Sequence, residues 1–353
     1  KIELRKSYLH TNIPTHMEVF TLDVGSQTQD FLLVAEENIR NCPKMVLPSP
    51  TKILAEKIKK TDSDIYLYGY TMGGGPIKFA VIEHIKRGYR VFADEKSALT
   101  FSDNLEKVKK MGIILERPEN AKKIKTCDVD LEFYSEVLAK INYCLPPTFA
   151  VAVQDHGFSP YESNRVFRFK MFKRMINKRG YLESFLYSAK EIPAELNRMV
   201  DAARSILDFC DGDVYVTDTA FAAIAGCSLD AKLPALLLNF GNSHITGAVV
   251  DKDWQILSIF EHHTKVLKQR GREYIKKFID DFVKGKITNE FVLNDGGHGC
   301  YIKEVTDVQD IVCTGPNTYL SSFREAKLFD TMIVGNLGML AMLEKRGVIH
   351  FQI

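Results

Sequence analysis

The chain has 353 residues, of which 45% are hydrophobic and 26% are charged, and its formal net charge is +2. This balance is typical of a globular protein of two domains, and the near-neutral charge gives no reason to expect nucleic acid or an acidic membrane as a partner. No apolar run reaches the roughly 18–20 residues that span a bilayer, and the first residues lack the apolar core of a signal peptide. We therefore expect a cytoplasmic protein.

The cysteines give information about cofactors. Seven are scattered along the sequence without a CxxC pair, which is typical of reduced thiols in a cytoplasm. Zinc ribbons and iron–sulfur clusters take their ligands from tight local groups of cysteines. We therefore expect no iron–sulfur cluster.

The first half of the sequence predicts a hairpin followed by alternating strands and helices. Residues 17–26 and 31–37 are two apolar runs that flank a polar turn, and 44–50 is a candidate third strand. Residues 64–70 and 89–94 are further strands, each followed by a helical pattern. Such βαβ alternation implies a parallel sheet.

The second half changes character twice. Residues 148–157 predict one more strand, whereas 158–212 are basic and helical, which we interpret as a helical insertion or an interdomain segment. Residues 233–241 and 245–250 are again strand-like. An amphipathic pattern over 264–285 predicts one helix.

One strand–turn–strand pattern occurs twice, at TLDVGSQTQDFLLV (21–34) and LLNFGNSHITGAVV (237–250). The copies fall in the two domains that we predict, 15–150 and 213–350. A glycine turn lets backbone N–H groups approach phosphate oxygens, and hydroxyl groups add donors. A carboxylate such as that of Asp23 can hold Mg²⁺ beside those phosphates. Two such hairpins facing one cleft would hold a triphosphate from both sides.

With these turns, the chain resembles the actin/sugar-kinase/heat-shock-chaperone ATPase superfamily. The resemblance implies a two-domain α/β fold of the ribonuclease H-like type, with ATP and Mg²⁺ in the interdomain cleft. It implies a first phosphate turn at Asp23, Gly25, Ser26, Gln27 and Thr28, a second at Asn239, Gly241, Asn242, Ser243 and His244, an adenosine-binding turn at Thr314, Gly315 and Pro316, and a glycine-bearing helix at Gly335, Asn336 and Gly338. The second turn departs from the pattern, because Asn239 stands where many members carry Asp and because His244 is unusual.

Over roughly 20–340, the chain resembles more closely a mainly archaeal family described as "putative pyruvate formate-lyase activating enzyme". The matching stretches are LDVGSQTQD, NCPKMVLPSPT, MGGGP, VAVQDHG, SNR, NFGNSHI and EHHT. Radical activators of that kind need a CxxxCxxC triad, which this sequence lacks.

Other motifs lie at predicted strand ends. The glycines of MGGGP (72–76) predict close approach of a ligand or a tight interdomain turn. Asp155 with His156, and Glu261 with His262 and His263, suit a divalent metal or acid–base chemistry, and the alternative is a set of structural histidines. Neighbouring strand residues point to opposite faces, so we expect only one of His262 and His263 to face a cleft. The pattern also offers Arg165 as an anchor for phosphate or carboxylate, and places His298 in a glycine-rich loop near the cleft.

Three functions are consistent with these observations. The first is an ATP-dependent phosphotransferase or ATPase, with Mg²⁺ near Asp23 and with Asp155 as general base or metal ligand. The second is a metal-dependent enzyme on the same scaffold that uses Asp155, His156, His262 or His263 and acts on a small molecule or a protein. The third is a non-catalytic nucleotide-sensing or assembly protein. A homo-oligomer is left open.

Overall fold

The computed structural model describes residues 18–328 and 330–350, so residues 15–17 of the predicted N-terminal domain lie outside the described residues. The strands of the described part are β1 (Val19–Val24), β2 (Thr28–Val34), β3 (Lys44–Pro48), β4 (Ile65–Gly69), β5 (Val91–Ala93), β6 (Ile113–Ile114), β7 (Lys122–Thr126), β8 (Thr148–Val153), β9 (Tyr187–Ser188), β10 (Asp213–Thr217), β11 (Ala235–Phe240), β12 (His244–Val250), β13 (Ile256–His263), β14 (Gly299–Ile302), β15 (Asp310–Thr314) and β16 (Arg324–Glu325).

The helices lie between these strands. They are α1 (Pro50–Lys59), α2 (Gly75–Lys86), α3 (Glu95–Leu99), α4 (Leu105–Lys110), α5 (Leu131–Lys140), α6 (Asn164–Lys178), α7 (Asn197–Leu207), α8 (Thr219–Ser228), α9 (Thr264–Arg270), α10 (Arg272–Val283), α11 (Asn289–Asn294) and α12 (Val334–Lys345), with short 3₁₀ turns at Ile39–Asn41, Leu182–Phe185, Thr318–Leu320 and Thr331–Ile333.

Two six-stranded sheets share one layout. The first has the order β3-β2-β1-β8-β10-β9 and the second the order β14-β13-β12-β11-β15-β16. In each sheet the antiparallel strands β1–β3 or β11–β13 are followed by two strands parallel to the first of them, β8 and β10 or β15 and β16. The edge strands β9 and β14 are antiparallel to their neighbours. This duplication agrees with the two ribonuclease H-like α/β units that the sequence predicts. β10, which begins the segment predicted as the C-terminal domain, pairs with β8 in the first sheet.

A third sheet lies between β3 and α5 in the chain. Its order is β6-β5-β4-β7, and all its strands are parallel, as the βαβ alternation predicts. It packs around a hydrophobic core of its own, which includes Leu54 of α1, Leu67 of β4, Val81 of α2 and Ile124 of β7. This unit and the two larger sheets together surround the cavity described below.

Helices α8 and α12 pack against each other with their backbones in contact. A Cβ atom at Gly226 would overlap the carbonyl oxygen of Val334, and one at Gly338 would overlap that of Ala222. Asn336 of α12 donates hydrogen bonds to Thr21 Oγ1 and to a carbonyl of β2. Because α8 follows the first sheet and α12 follows the second, this contact holds the two units together.

The prediction of one continuous helix over 264–285 is wrong. The chain forms α9 and α10 with a break at Gly271, whose φ of 87° lies in the left-handed region that favours glycine. The apolar face remains, because Ile275, Phe278 and Phe282 of α10 are buried as the pattern predicts.

Among the helices of residues 18–328 and 330–350, none is both long enough and apolar enough to cross a bilayer.

Candidate functional site

A cavity of about 470 Å³ lies where the two hairpin turns meet. Most of the residues that the sequence singled out line it, namely Asp23, Gly25, Ser26, Thr28, Asp155, His156, Asn239, Gly241, Asn242, Ser243, His244, Thr314, Gly315, Pro316 and Gly335. The residues that lie outside the lining are Gln27, Arg165, His262, His263, His298, Asn336 and Gly338. Gln27 accepts a hydrogen bond from Lys52 Nζ at 3.0 Å, and the ring of His263 lies beside that of His244.

The two glycine turns face each other directly. The hydroxyl of Ser243 donates a hydrogen bond to that of Ser26, with 2.8 Å between the oxygens. In the first turn the amide of Gly25 donates to the carbonyl of Thr28 at 2.9 Å, which closes the hairpin tightly. The arrangement brings hydroxyl groups from the turns of both sheets to one point, where they can donate to a phosphate chain.

Asp23 is the penultimate residue of β1 and lines the cavity, and one of its carboxylate oxygens has no hydrogen-bond partner. Its Oδ1 is buried and accepts no hydrogen bond. Burial raises the pKa of this carboxyl well above its ordinary value, and the negative charges of Asp30 and Asp218 raise it further. A Cβ atom at Gly335, at the start of α12, would overlap Asp23 Oδ2. Because Gly335 has no side chain, there is space at this point for the carboxylate of Asp23.

Asp30 is a carboxylate that the sequence analysis missed. It is the cross-strand partner of Asp23 in the β1–β2 hairpin, and it also lines the cavity. Burial raises its pKa to about 7, against the opposing effect of a hydrogen bond from Thr28. Its Oδ1 is buried without a hydrogen-bond partner. Counting the register back from the turn would have paired the two acids.

The turn at Thr314–Gly315 packs on the second glycine turn. Gly315 has a φ of 102°, and a Cβ atom there would lie 2.7 Å from the carbonyl oxygen of Phe240 and 2.8 Å from Oδ1 of Asn239. Thr314, beside it, has a buried hydroxyl without a hydrogen-bond partner. This close approach explains the glycine and makes the two turns one continuous wall of the cavity.

Asp155 and His156 follow β8 at the base of the cavity. The carboxylate of Asp155 accepts hydrogen bonds from the amides of Gly157 at 2.8 Å and Met199 at 2.9 Å. Burial nevertheless raises its pKa to about 6. Burial lowers the pKa of His156 well below its ordinary value, and the positive charge of Arg168 acts in the same direction. His156 is therefore a neutral imidazole at physiological pH.

Arg168, on α6, is the second residue that the sequence analysis missed. It is 1% exposed and donates two hydrogen bonds to Asp218, at 2.6 and 2.9 Å, and one from Nε to Glu261 Oε2 at 2.9 Å. Asp218 follows β10 of the first sheet, whereas Glu261 belongs to β13 of the second sheet. The Arg168 guanidinium holds the pKa of Glu261 well below its usual range although burial would raise it.

Arg165, the anchor that we had suggested, lies one helical turn before Arg168. Its Nη1 donates to the carbonyl of Gly297 at 2.9 Å, and the residue is absent from the lining of the cavity. The buried residues Phe169 and Phe172 mark an apolar face of α6, but the sequence gives no signal that an arginine shares that face.

Three histidines form a tight cluster beside the second turn. The ring centroids of His244, His263 and His298 lie 4.9 Å (His244–His263), 4.3 Å (His244–His298) and 4.7 Å (His263–His298) apart. His262 points to the other side of the strand, where its Nε2 lies 3.3 Å from Asp295 Oδ2 and its ring packs on Phe278. Burial lowers the pKa of His244 to about 3 and also lowers that of His263.

The third sheet contributes the opposite side of the cavity. The lining there includes the loop from Thr71 to Pro76, which contains the MGGGP stretch, and the segment from Leu99 to Asp103. A Cβ atom at Gly74 would overlap the carbonyl oxygen of Thr100. The glycines therefore permit a close backbone approach just before α2 begins at Gly75.

The solved structures that match this chain have low sequence identity to it and low TM-scores. The activator of the 2-hydroxyisocaproyl-CoA dehydratase from Clostridium difficile with bound ADPNP is 9% identical, with 96% of this chain and 100% of that chain covered and a TM-score of 0.34. The ethanolamine utilization protein EutJ from Carboxydothermus hydrogenoformans is 9% identical, with 94% and 91% covered and a TM-score of 0.35. The ligand-bound xylulose kinase from Lactobacillus acidophilus is 10% identical, with 95% and 90% covered and a TM-score of 0.30.

Sequence comparisons place the chain in one family. A search of curated proteins finds no match. A family model matches residues 72–320, which is more than half of the chain and includes the second glycine turn, the histidine cluster and Arg168. The chain therefore belongs to the family described as "Putative pyruvate format-lyase activating enzyme (DUF1786)".

Proposed function

We propose that the protein is an ATP-dependent phosphotransferase or ATPase whose nucleotide lies between the units predicted at 15–150 and 213–350. One observation carries the proposal: the turns containing Ser26 and Ser243 meet across the cavity, with the unpartnered carboxylate of Asp23 beside them. Hydroxyl and amide donors that converge from two sheets suit a chain of phosphates.

Each part of the nucleotide has a matching part of the cavity. In this proposal Ser26 and Thr28 contact the phosphates from the first turn, and Asn242 and Ser243 contact them from the second. The adenosine end lies against the turn at Thr314–Gly315, where the backbone is close to the second turn. The glycines let the backbone amides reach the ligand without a side chain between them.

The carboxylates suit Mg²⁺. The buried oxygens of Asp23 and Asp30 that accept no hydrogen bond are hard ligands of the kind that Mg²⁺ prefers. When bound, the cation would neutralise charge on the phosphates. Asp23 and Asp30 would then be ionised, whereas burial without a cation favours their protonated forms.

The third sheet supports transfer to a second substrate. Ligands of parallel sheets bind beyond the carboxyl ends of the strands, and the glycine loop after β4 lines the same cavity as the phosphate turns. We place the acceptor, a small molecule or a protein segment, between this loop and Asp155. A carboxyl with a pKa of about 6 is suited to accept a proton near neutral pH.

Calorimetry with an ATP analogue and Mg²⁺ tests the proposal. We expect the wild-type chain to bind, and Asp23→Ala to lose Mg²⁺-dependent binding and phosphate release. The matched control is Asp211→Ala, at an exposed position, which should behave as wild type. Absence of nucleotide binding by the wild-type chain would overturn the proposal.

A non-catalytic nucleotide sensor is the second candidate, and Asn239 favours it. This neutral amide lines the cavity at the position that matches Asp23 in the first turn. Stoichiometric nucleotide binding without phosphate release would support this function. Appearance of hydrolysis in Asn239→Asp would show that the missing carboxylate is the reason.

A further inference from the structure

The three clustered histidines come from three neighbouring strand ends. His244 begins β12 and His263 ends β13, and the two are direct partners in the antiparallel register. His298 immediately precedes β14, whose first residue pairs with Glu261 of β13. The sheet therefore brings all three imidazoles to one edge, and their ligand atoms lie within 4.8 Å of one another.

From this arrangement we propose that His244, His263 and His298 bind a divalent transition-metal ion such as Zn²⁺. Imidazole nitrogens are ligands for Zn²⁺, Ni²⁺, Cu²⁺ and Fe²⁺, whereas Mg²⁺ prefers oxygen. Zinc takes imidazole nitrogens at about 2.0–2.1 Å, so small side-chain rotations would close the cluster around an ion. This ligand set differs from the sequence-based one, since His262 lies on the other side of the strand.

The surroundings of His298 match those of a metal-binding histidine. Its Nδ1 lies 2.9 Å from Glu261 Oε1 but out of line for a hydrogen bond, and the residue is 2% exposed. A small rotation of the ring would make this hydrogen bond, and a carboxylate bonded to one ring nitrogen fixes the tautomer and leaves the other nitrogen for a metal. Glu261 is itself held by Arg168, so the carboxylate has a fixed position.

His244, like His298, has a ring nitrogen available as a metal ligand. Its Nε2 is buried and has no hydrogen-bond partner, while its Nδ1 lies 2.8 Å from the side-chain amide of Gln154. In the structure the amide Nε2 of Gln154 donates to His244 Nδ1 at 2.8 Å and to Glu261 Oε1 at 3.3 Å, so the hydrogen of the neutral imidazole lies on Nε2. Metal binding at Nε2 requires this hydrogen to move to Nδ1 and the Gln154 amide to turn its oxygen towards the ring. A buried nitrogen without a partner is costly unless a ligand satisfies it.

The site would open towards the nucleotide cavity. His244 lines that cavity and follows Ser243, whereas His263 and His298 stand behind it. His156 lies on the same side, with its ring centroid 5.6 Å from that of His298. Three protein ligands with one open position are typical of catalytic zinc sites rather than structural ones. The open position would take water or an oxygen or nitrogen atom of the second substrate.

Titration of the chelator-treated full-length chain with Co²⁺ alone tests this proposal. We expect one ion per chain, with the intense visible absorption of a tetrahedral site, and displacement by Zn²⁺. His263→Gln and His298→Gln should each weaken binding by more than the roughly 10–100-fold that changes around a metal site cost. Because His263 is only partly buried, its variant remains informative if His298→Gln fails to fold.

His262→Gln is the matched control, since His262 neighbours His263 in sequence but points to Asp295. It should bind Co²⁺ as the wild type does. The proposal is overturned if the wild-type chain binds no stoichiometric Co²⁺, if the spectrum is that of an octahedral ion, or if the control loses as much affinity as His263→Gln. No nucleotide is added, so failure of the ATP proposal would not affect the result.

Discussion

The hydroxyl of Ser243 donates a hydrogen bond to the hydroxyl of Ser26 at 2.8 Å, which joins the two glycine turns across the cavity. The residues belong to turns of different sheets, so the contact links the two units at the cavity in the absence of a ligand. In the proposed nucleotide complex, both hydroxyls are donors to phosphate oxygens. Binding then exchanges one internal hydrogen bond for two to the ligand.

Replacing these hydroxyls should weaken nucleotide binding. Because a neutral hydrogen bond contributes about 0.5–1.5 kcal/mol, we expect Ser26→Ala and Ser243→Ala each to raise the Kd of an ATP analogue by roughly 3–10-fold, as measured by calorimetry. Ser63→Ala, at an exposed position, is the control. Equal affinity of all three variants would contradict a role of the turns in phosphate binding.

A side chain at Gly335 should disturb the carboxylate of Asp23. The Cβ atom of Gly335→Ala would overlap Asp23 Oδ2, so either the acid or the start of α12 must move. We expect a lower Tm and a loss of Mg²⁺-dependent nucleotide binding. Gly347→Ala is the control, because Gly347 lies outside the cavity lining and a Cβ atom there meets nothing within 4 Å. The φ of 71° at this position should lower the Tm of the alanine variant, but Mg²⁺-dependent binding should be retained. Full Mg²⁺-dependent binding by Gly335→Ala would show that Asp23 does not contribute.

Local patterns were enough to predict the parts of the fold that depend on neighbours in sequence. The two hairpins follow from apolar runs around Gly25 and Gly241, and the parallel third sheet follows from strand–helix alternation. The pairing of β10 with β8 could not be predicted from the sequence, because the partners in a parallel pair are distant in the chain. The break at Gly271 has a local signal, a glycine inside a helical pattern, which the amphipathic spacing concealed.

The residues of the candidate site likewise divide into those that a local motif predicts and those that only the tertiary fold brings together. Residues of the two turns could be named from sequence because each turn is a local motif. Arg168 could not, since its burial depends on Asp218 and Glu261 reaching it from two different units. The His244–His263 pair follows from hairpin register, whereas His298 joins it only through the pairing of β14 with β13.

The stability of the ligand-free protein should fall as the pH rises towards neutrality, partly through Asp30. Its pKa is raised from 3.8 to about 7 in the folded chain, so between these pH values the folded state binds more protons than the unfolded state. The free energy of unfolding then decreases with rising pH. Asp30→Asn, which does not titrate, should flatten this slope in denaturant titrations between about pH 4 and 7, whereas Asp211→Asn should keep it. An unchanged slope in Asp30→Asn would exclude this carboxyl as the cause.

Removing the charge of Arg168 should destabilise the whole molecule. Arg168→Met would leave Asp218 and Glu261 buried without their cation, and breaking a buried pair in this way costs about 3–5 kcal/mol. Since the arginine links carboxylates of both large sheets, the loss should lower the stability of one cooperative unfolding transition rather than of one sheet. Chemical denaturation of Arg168→Met and of the control variant Arg174→Met measures this loss of stability. Arg174 has a side chain 59% exposed, so its replacement should change stability by no more than about 0.5 kcal/mol. Equal stabilities of the two variants would show that the buried carboxylates do not depend on Arg168.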